Sequence, residues 1–235
     1  MTIAISADWL YPARVGGPAH SIYWLAKALT NAGHAVMVVG TSQDLPLSIP
    51  VNRWLTLDFG RVIYSANPHF YLPVSHIWYG WQAIKQADVV HVNSLFYPAS
   101  SAWVLLCRLL GKPVVWSPHG ELSPVALLIR PRLKRFLLRV FRWFRPGIVF
   151  HATCAEETGQ IRQHFGQDVR VCAIRTRMEL PVPRERVAQP YLLFVGRLHP
   201  IKAIDQLLIA LSGLPGQIPI TPMSGNYRTW SWNGA

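Results

Sequence analysis

The segment VVWSPHGELSP (114–124) sets His119 between Pro118 and Gly120, just past the end of a β-like run. In open α/β sheets that edge is where ligands bind. An imidazole there can donate to a sugar hydroxyl or a phosphate and can titrate near neutral pH, which makes His119 the best single catalytic candidate. A loop histidine satisfied by backbone groups is the plainer reading. A second candidate lies in YPARVGGPAHS (11–21), where Gly16 and Gly17 stand immediately before a helix with Pro18 at its start. Glycines there let a phosphate approach the backbone, and the free N–H groups of a helix N-terminus attract it; a turn that merely needs glycine is the alternative. A third is YLLFVGRLHPIKAIDQLLIAL (191–211), in which Arg197 and Lys202 flank a loop between a strand and a helix. The Arg fork and the Lys point charge together could neutralise a diphosphate, although two basic residues can also be plain loop surface.

Residues 130–145, RPRLKRFLLRVFRWFR, hold seven basic residues and no acid. At about 100° per residue, Ile129, Leu133, Phe136, Leu137, Val140, Trp143 and Phe144 fall on one arc, and Arg132, Arg135, Arg139 and Arg142 on another. Such a helix suits an anionic membrane surface, with the four arginines against lipid. A core-facing helix with a basic outer side fits the same pattern.

The elements that must position these residues alternate between strand and helix periods. Strands are predicted at 2–7, 35–40, 87–92, 113–117, 147–153 and 169–174, and helices from Pro18 to Gly33 and near 98–110, 124–144 and 155–165. The first strand, helix and strand make a βαβ unit, whose crossover implies a parallel sheet. The fold class is therefore α/β, a doubly wound parallel sheet filling 1–174. Residues 175–190 read as a Pro-rich, charged linker, 191–212 as the first strand and helix of a second, incomplete domain, and 213–235 as an irregular tail.

The 235 residues are 51% hydrophobic, enough for a sizeable core, and carry a net charge of +12. That charge favours polyanionic partners, among them nucleic acid, an anionic membrane face and phosphorylated ligands. No helix-turn-helix, zinc or RNA-binding signature supports nucleic acid. Cys107, Cys154 and Cys172 fit neither a disulfide framework nor a zinc pattern, and a reducing cytoplasm is the simplest setting. No secretory signal and no run of about 18 apolar residues is found, so membrane contact is expected to be peripheral, on the inner face of the plasma membrane. The G-x-G-x-x-G fingerprint is absent, which disfavours a nicotinamide dehydrogenase.

Taken together, VGGPAHSIYWLAKALTNAGH (15–34), GKPVVWSPHGELSP (111–124), HATCAEE (151–157) and residues 191–211 resemble a family-four retaining glycosyltransferase with two facing Rossmann-like domains. The resemblance covers about residues 1–212 and makes the first domain the acceptor side. It implies transfer of a sugar, with retention, from a nucleotide-sugar donor to a saccharide or lipid-linked acceptor in lipopolysaccharide, capsule or exopolysaccharide assembly. By the same resemblance Gly16 and Gly17 approach the donor phosphates, His119 contacts the donor sugar, and Arg197 with Lys202 hold the leaving diphosphate. No metal or other cofactor is expected, since the nucleotide sugar is a co-substrate and no D-x-D occurs.

Two departures stand out. Ala203 occupies a position that is often glycine in the family. The family's two glutamates seven residues apart have no counterpart after Lys202, where Asp205 is the only acid. The sequence is accordingly read as a truncated transferase without useful turnover, from a frameshift or premature stop near Gly213 or as a natural short form. The competing reading is a non-catalytic basic α/β module that binds glycan, lipid or nucleic acid.

Overall fold

The computed structural model describes residues 1–13, 16–67, 69–173, 192–195, 203–212 and 220–223. Arg197, Lys202 and the linker at 175–190 lie outside the described residues. The chain has two compact units, Met1–Met178 and Glu179–Ala235.

The first unit begins with β1 (Thr2–Ser6), α1 (Gly16–Asn31) and β2 (Ala35–Thr41), the βαβ start that the sequence announces. Then come β3 (Trp54–Leu57), β4 (Gly60–Ser65), α2 (Val74–Gln86), β5 (Val89–Asn93), α3 (Pro98–Leu109) and β6 (Val114–Ser117). After these follow α4 (Pro124–Leu128), α5 (Pro131–Phe144), β7 (Ile148–Ala152), α6 (Ala155–Phe165) and β8 (Arg170–Ala173). The sheet order is β3-β4-β2-β1-β5-β6-β7-β8, parallel throughout except that β3 runs antiparallel to β4. The doubly wound parallel sheet is thus present.

The central strands are buried on both faces, as the near-continuous apolar runs of β1 and β2 require. Ile3, Ile5, Val36 and Val38 face α1 through Ile22 and Ala26. Ala4, Met37, Val39 and Ile63 face the opposite side with Ala83 and Ile84 of α2 and Trp103 of α3. β1 pairs with β2 on one side and β5 on the other, so chain order reverses across β1 and a crevice opens at the carboxyl ends of those strands.

Three elements of this unit differ from the sequence expectation. α2 was not expected: its buried positions are His76, Gly80, Ala83 and Ile84, helically spaced, but His and Gly do not register as an apolar stripe. Gly80 is there because an added Cβ would come within 2.2 Å of Trp103 Nε1. The β3–β4 hairpin was missed because β3 is short and turns its last two residues to solvent, so no apolar alternation develops. The single helix expected at 124–144 is two. A residue preceding proline is disfavoured in the helical region, and Arg130, ahead of Pro131, takes φ 55° and ψ 54° and breaks the run.

In the second unit β9 (Leu192–Val195), α7 (Ile204–Ser212) and β10 (Ile220–Met223) follow one another, and β10 pairs parallel with β9, Ile220 opposite Leu192. The segment 213–235 was expected to be irregular throughout. β10 is only four residues long and contains Pro222, too short to reveal a period of two, and its pairing comes from a neighbour.

Candidate active site at the carboxyl edge of the sheet

The site is built where β1, β5, β6 and β7 end. Asn93 closes β5, and its backbone N–H donates to Ser6 Oγ at 3.2 Å while its Nδ2 donates to the Ser6 carbonyl at 2.7 Å. The ends of β1 and β5 are thereby pinned side by side. The β6–α4 loop then brings His119 Nε2 to 2.6 Å from Asn93 Oδ1. Two consecutive left-handed residues, His119 at φ 52° and Gly120 at φ 79°, make this turn. Non-glycine residues rarely adopt φ > 0, so His119 holds a conformation that its surroundings must enforce.

Two carboxylates do the enforcing. Glu157, buried in the first turn of α6, accepts from the N–H of Gly120 at 2.6 Å and from both the N–H and Oγ1 of Thr153 at 2.7 Å. Glu121 accepts from Ser94 Oγ at 2.8 Å and from the N–H groups of Leu95 and Phe96. Three loops, following β5, β6 and β7, are joined through these two side chains.

Behind His119 runs a buried chain in which Ser117 Oγ lies 2.6 Å from His91 Nε2 and 2.7 Å from His151 Nδ1. The His119 and His151 rings meet edge to face at 6.3 Å. Burial pushes His91 down to about 3 and His119 down to about 4; for His119, His151 adds to the fall and Glu157 opposes it. Both imidazoles are therefore neutral at pH 7. Asp8, just past β1, behaves oppositely, with burial and the neighbouring Glu121 charge lifting its carboxyl to about 7. Glu121 is itself raised, chiefly by burial.

Of the residues singled out in the sequence, His119 sits at the centre of this cluster. Gly16 and Gly17 form the first turn of α1, whose N-terminus follows β1 and so opens on the same edge. A Cβ added to Gly17 would meet no other atom, so packing does not account for the glycine. Sequence reasoning missed Asp8, Asn93, His91, His151 and the clamp of Glu121 and Glu157. Glu121 and Glu157 lay within the quoted motifs, GEL and CAEE, but nothing in their spacing says that they reach back to other loops. Arg132, Arg135, Arg139 and Arg142 are all exposed on α5, and Arg142 Nε also donates to the His164 carbonyl of α6 at 2.5 Å. Among the described residues no group of three or more His, Cys, Asp and Glu could hold a metal ion. A cavity of about 440 Å³ lies at the opposite end of the sheet beside Thr2, His34 and Arg61, away from these titratable groups.

Residues 15–177 match the family model of glycosyltransferase family 4. The chain belongs to that family. No curated protein matches it by sequence. Among solved structures, this family-4 chain is similar to sucrose-phosphate synthase from Thermosynechococcus elongatus at 16% identity and TM-score 0.67, covering 94% of this chain and 61% of that one. It is similar to Anabaena HepE, solved with UDP and glucose, at 16% identity and TM-score 0.68, covering 94% and 60%. Trehalose-6-phosphate synthase OtsA aligns at 12% identity and TM-score 0.61, covering 95% and 65%. The family-4 chain therefore spans about three-fifths of the length of these structures. At such identities the likeness is one of fold.

Proposed function

We propose that this family-4 chain serves the transfer of a sugar, with retention, from a nucleotide-sugar donor to a saccharide or lipid-linked acceptor at the cytoplasmic face of the plasma membrane, in cell-surface polysaccharide synthesis. The observation that carries the reading is the His119–Asn93 pair at the β1–β5 switch point, in a chain of this family. A neutral imidazole can hydrogen-bond a sugar hydroxyl without adding a positive charge beside an anomeric carbon that is becoming positive. As the bond from that carbon to the diphosphate breaks, negative charge grows on the departing phosphate oxygens. Gly16, Gly17, Arg197 and Lys202 are assigned to receive it, through the N-terminus of α1 and two cations. The new bond forms to the acceptor hydroxyl oxygen on the same face of the sugar, and the hydroxyl proton passes to the departing phosphate oxygen. No metal is assigned a role.

The test offers the purified chain a panel of nucleotide sugars together with saccharide and lipid-linked acceptors. Thermal shift reads binding, release of nucleoside diphosphate reads turnover, and the anomeric configuration of any product reads stereochemistry. Stabilisation by one donor that weakens in His119→Ala and in Arg197→Ala supports the reading. Stabilisation by none of them, or transfer with inversion, contradicts it.

A further inference from the structure

The outer surface of α5 is not what its charge suggests. Leu138 and Phe141 are the residues that turn inward, Phe141 meeting Trp116 edge to face at 5.1 Å. At about 100° per residue, Leu133, Phe136, Val140 and Trp143 then lie on the side away from the sheet. Phe136 is 60% exposed and Trp143 77%. Leu137 packs against the core and Arg108 of α3 lies over the Phe144 ring, so the part of the apolar arc left uncovered among the described residues is Leu133, Phe136 and Trp143, with Val140 half-buried between them. It continues into α4, where Leu128 is 75% exposed, and to Ile129 beside it. Across the corner Arg130 donates to Tyr71 Oη and lies over its ring, linking this surface to the exposed Tyr71 and Leu72. Contiguous exposed apolar surface of this kind marks an interaction site.

Its flank is cationic. Arg132, Arg135 and Arg139 fall on one edge of the ridge, and among the described residues none of the three makes an ion pair. The chain carries no acid between Glu121 and Glu156. A groove of about 160 Å³ opens on that flank between α5 and α6, lined by Arg135, Arg139, Arg142 and His164 over Leu138. Its volume and cationic lining suit a phosphate rather than a folded chain.

We propose that α4 and α5 form a bilayer-docking face, in which Leu133, Phe136, Val140 and Trp143 enter the acyl boundary of an anionic membrane while Arg132, Arg135 and Arg139 take the lipid phosphates. The ridge is convex, bears two aromatic anchors, and has its cations where they reach the headgroup level as the apolar side goes deeper. A second copy is a poor occupant, because a two-fold contact would set the same arginines against themselves. Docking of this kind rests on the membrane location in the proposed function, but flotation needs no sugar transfer, so the two can fail separately. It also reverses what charge alone would give, since binding rests first on the ridge and only then on the arginines.

The full chain is floated with phosphatidylcholine vesicles with and without phosphatidylglycerol, at low and high salt. Leu133→Ser/Phe136→Ser/Trp143→Ser is compared with Arg132→Gln/Arg135→Gln/Arg139→Gln. All six positions are exposed, and unchanged circular dichroism and melting temperature confirm that both variants fold. Binding to anionic vesicles should partly survive high salt and should be lost in the apolar variant. The arginine variant should bind about a hundredfold more weakly and no longer prefer anionic lipid. Absence of flotation by the wild type, or an apolar variant that floats like wild type, overturns the proposal. So does an apolar variant that abolishes self-association or capture of an acidic protein while vesicle binding stays intact.

Discussion

His119 Nε2 and Asn93 Oδ1 lie 2.6 Å apart, and the rest of the Asn93 amide is committed, with Nδ2 donating to the Ser6 carbonyl. An amide oxygen can only accept, so the proton of the neutral imidazole sits on Nε2 and Nδ1 is left as the acceptor. One strand end thus sets both the orientation and the tautomer of the histidine on the next loop. Asn93→Asp places a carboxylate where the amide oxygen was, which favours the imidazolium. The His119 pKa, about 4 in the wild type, should rise by at least about one unit, followed by NMR titration of the ring. An unchanged value would mean that the contact does not persist in solution.

Asp8 should make the protein less stable at higher pH. Its carboxyl moves from 3.8 to about 7 on folding, so between those values the native state keeps a proton that the unfolded chain has released. Stability contributed by Asp8 therefore falls as pH rises through that window and stays lower above it. Asp8→Asn should gain about 2 kcal/mol over wild type at pH 8 and nothing at pH 4, since the side chain keeps some contact with water and the full shift is not realised. Denaturant melts at the two pH values measure the difference.

Glu157 closes the turn that carries His119, accepting from Gly120 and twice from Thr153. Glu157→Ala leaves those donors unpaired and should cost about 3 kcal/mol. For a chain of this size that is a fall of about 6–12 °C in melting temperature. Glu157→Gln keeps one acceptor and should lose less, and equal losses in the two variants would show that the clamp does not act through its oxygens.

Gly80→Ala should destabilise by about 1–3 kcal/mol or more, because the new methyl group meets Trp103, which is fully buried. Ligand binding at His119 should change little, since the clash falls on Trp103 rather than on Asn93 or the His119 turn. Calorimetry and the donor thermal shift read the two effects separately.

The parts legible in the sequence were those with a strong local period. The βαβ start, the strands flanking His119 and the helix at 155–165 announce themselves because their own residues carry the pattern. α2 was hidden because its buried face is paid out in His76 and Gly80, whose fit depends on Ser65 and Trp103 elsewhere in the chain. The helix at 124–144 was read through a proline whose effect falls on the residue before it. In the site, His119 could be found from its place after a strand. Asn93, Glu121 and Glu157 could not, since each matters through a partner 26 to 37 residues away. The orientation of α5 was the least legible of all, because an apolar arc looks the same in sequence whether it meets a core or faces outward.

The most direct measurement of the central claim is the NMR spectrum of the chain with 15N-labelled histidine, the His119 signals assigned from His119→Gln, titrated with nucleotide sugars and then with saccharide acceptors. The account predicts that one donor or acceptor shifts the His119 ring resonances in a saturable way, leaves half-buried His34 at the opposite end of the sheet unmoved, and no longer does so in Asn93→Ala. Saturable binding that moves other histidines and leaves His119 untouched, or no response to any sugar ligand, would contradict it.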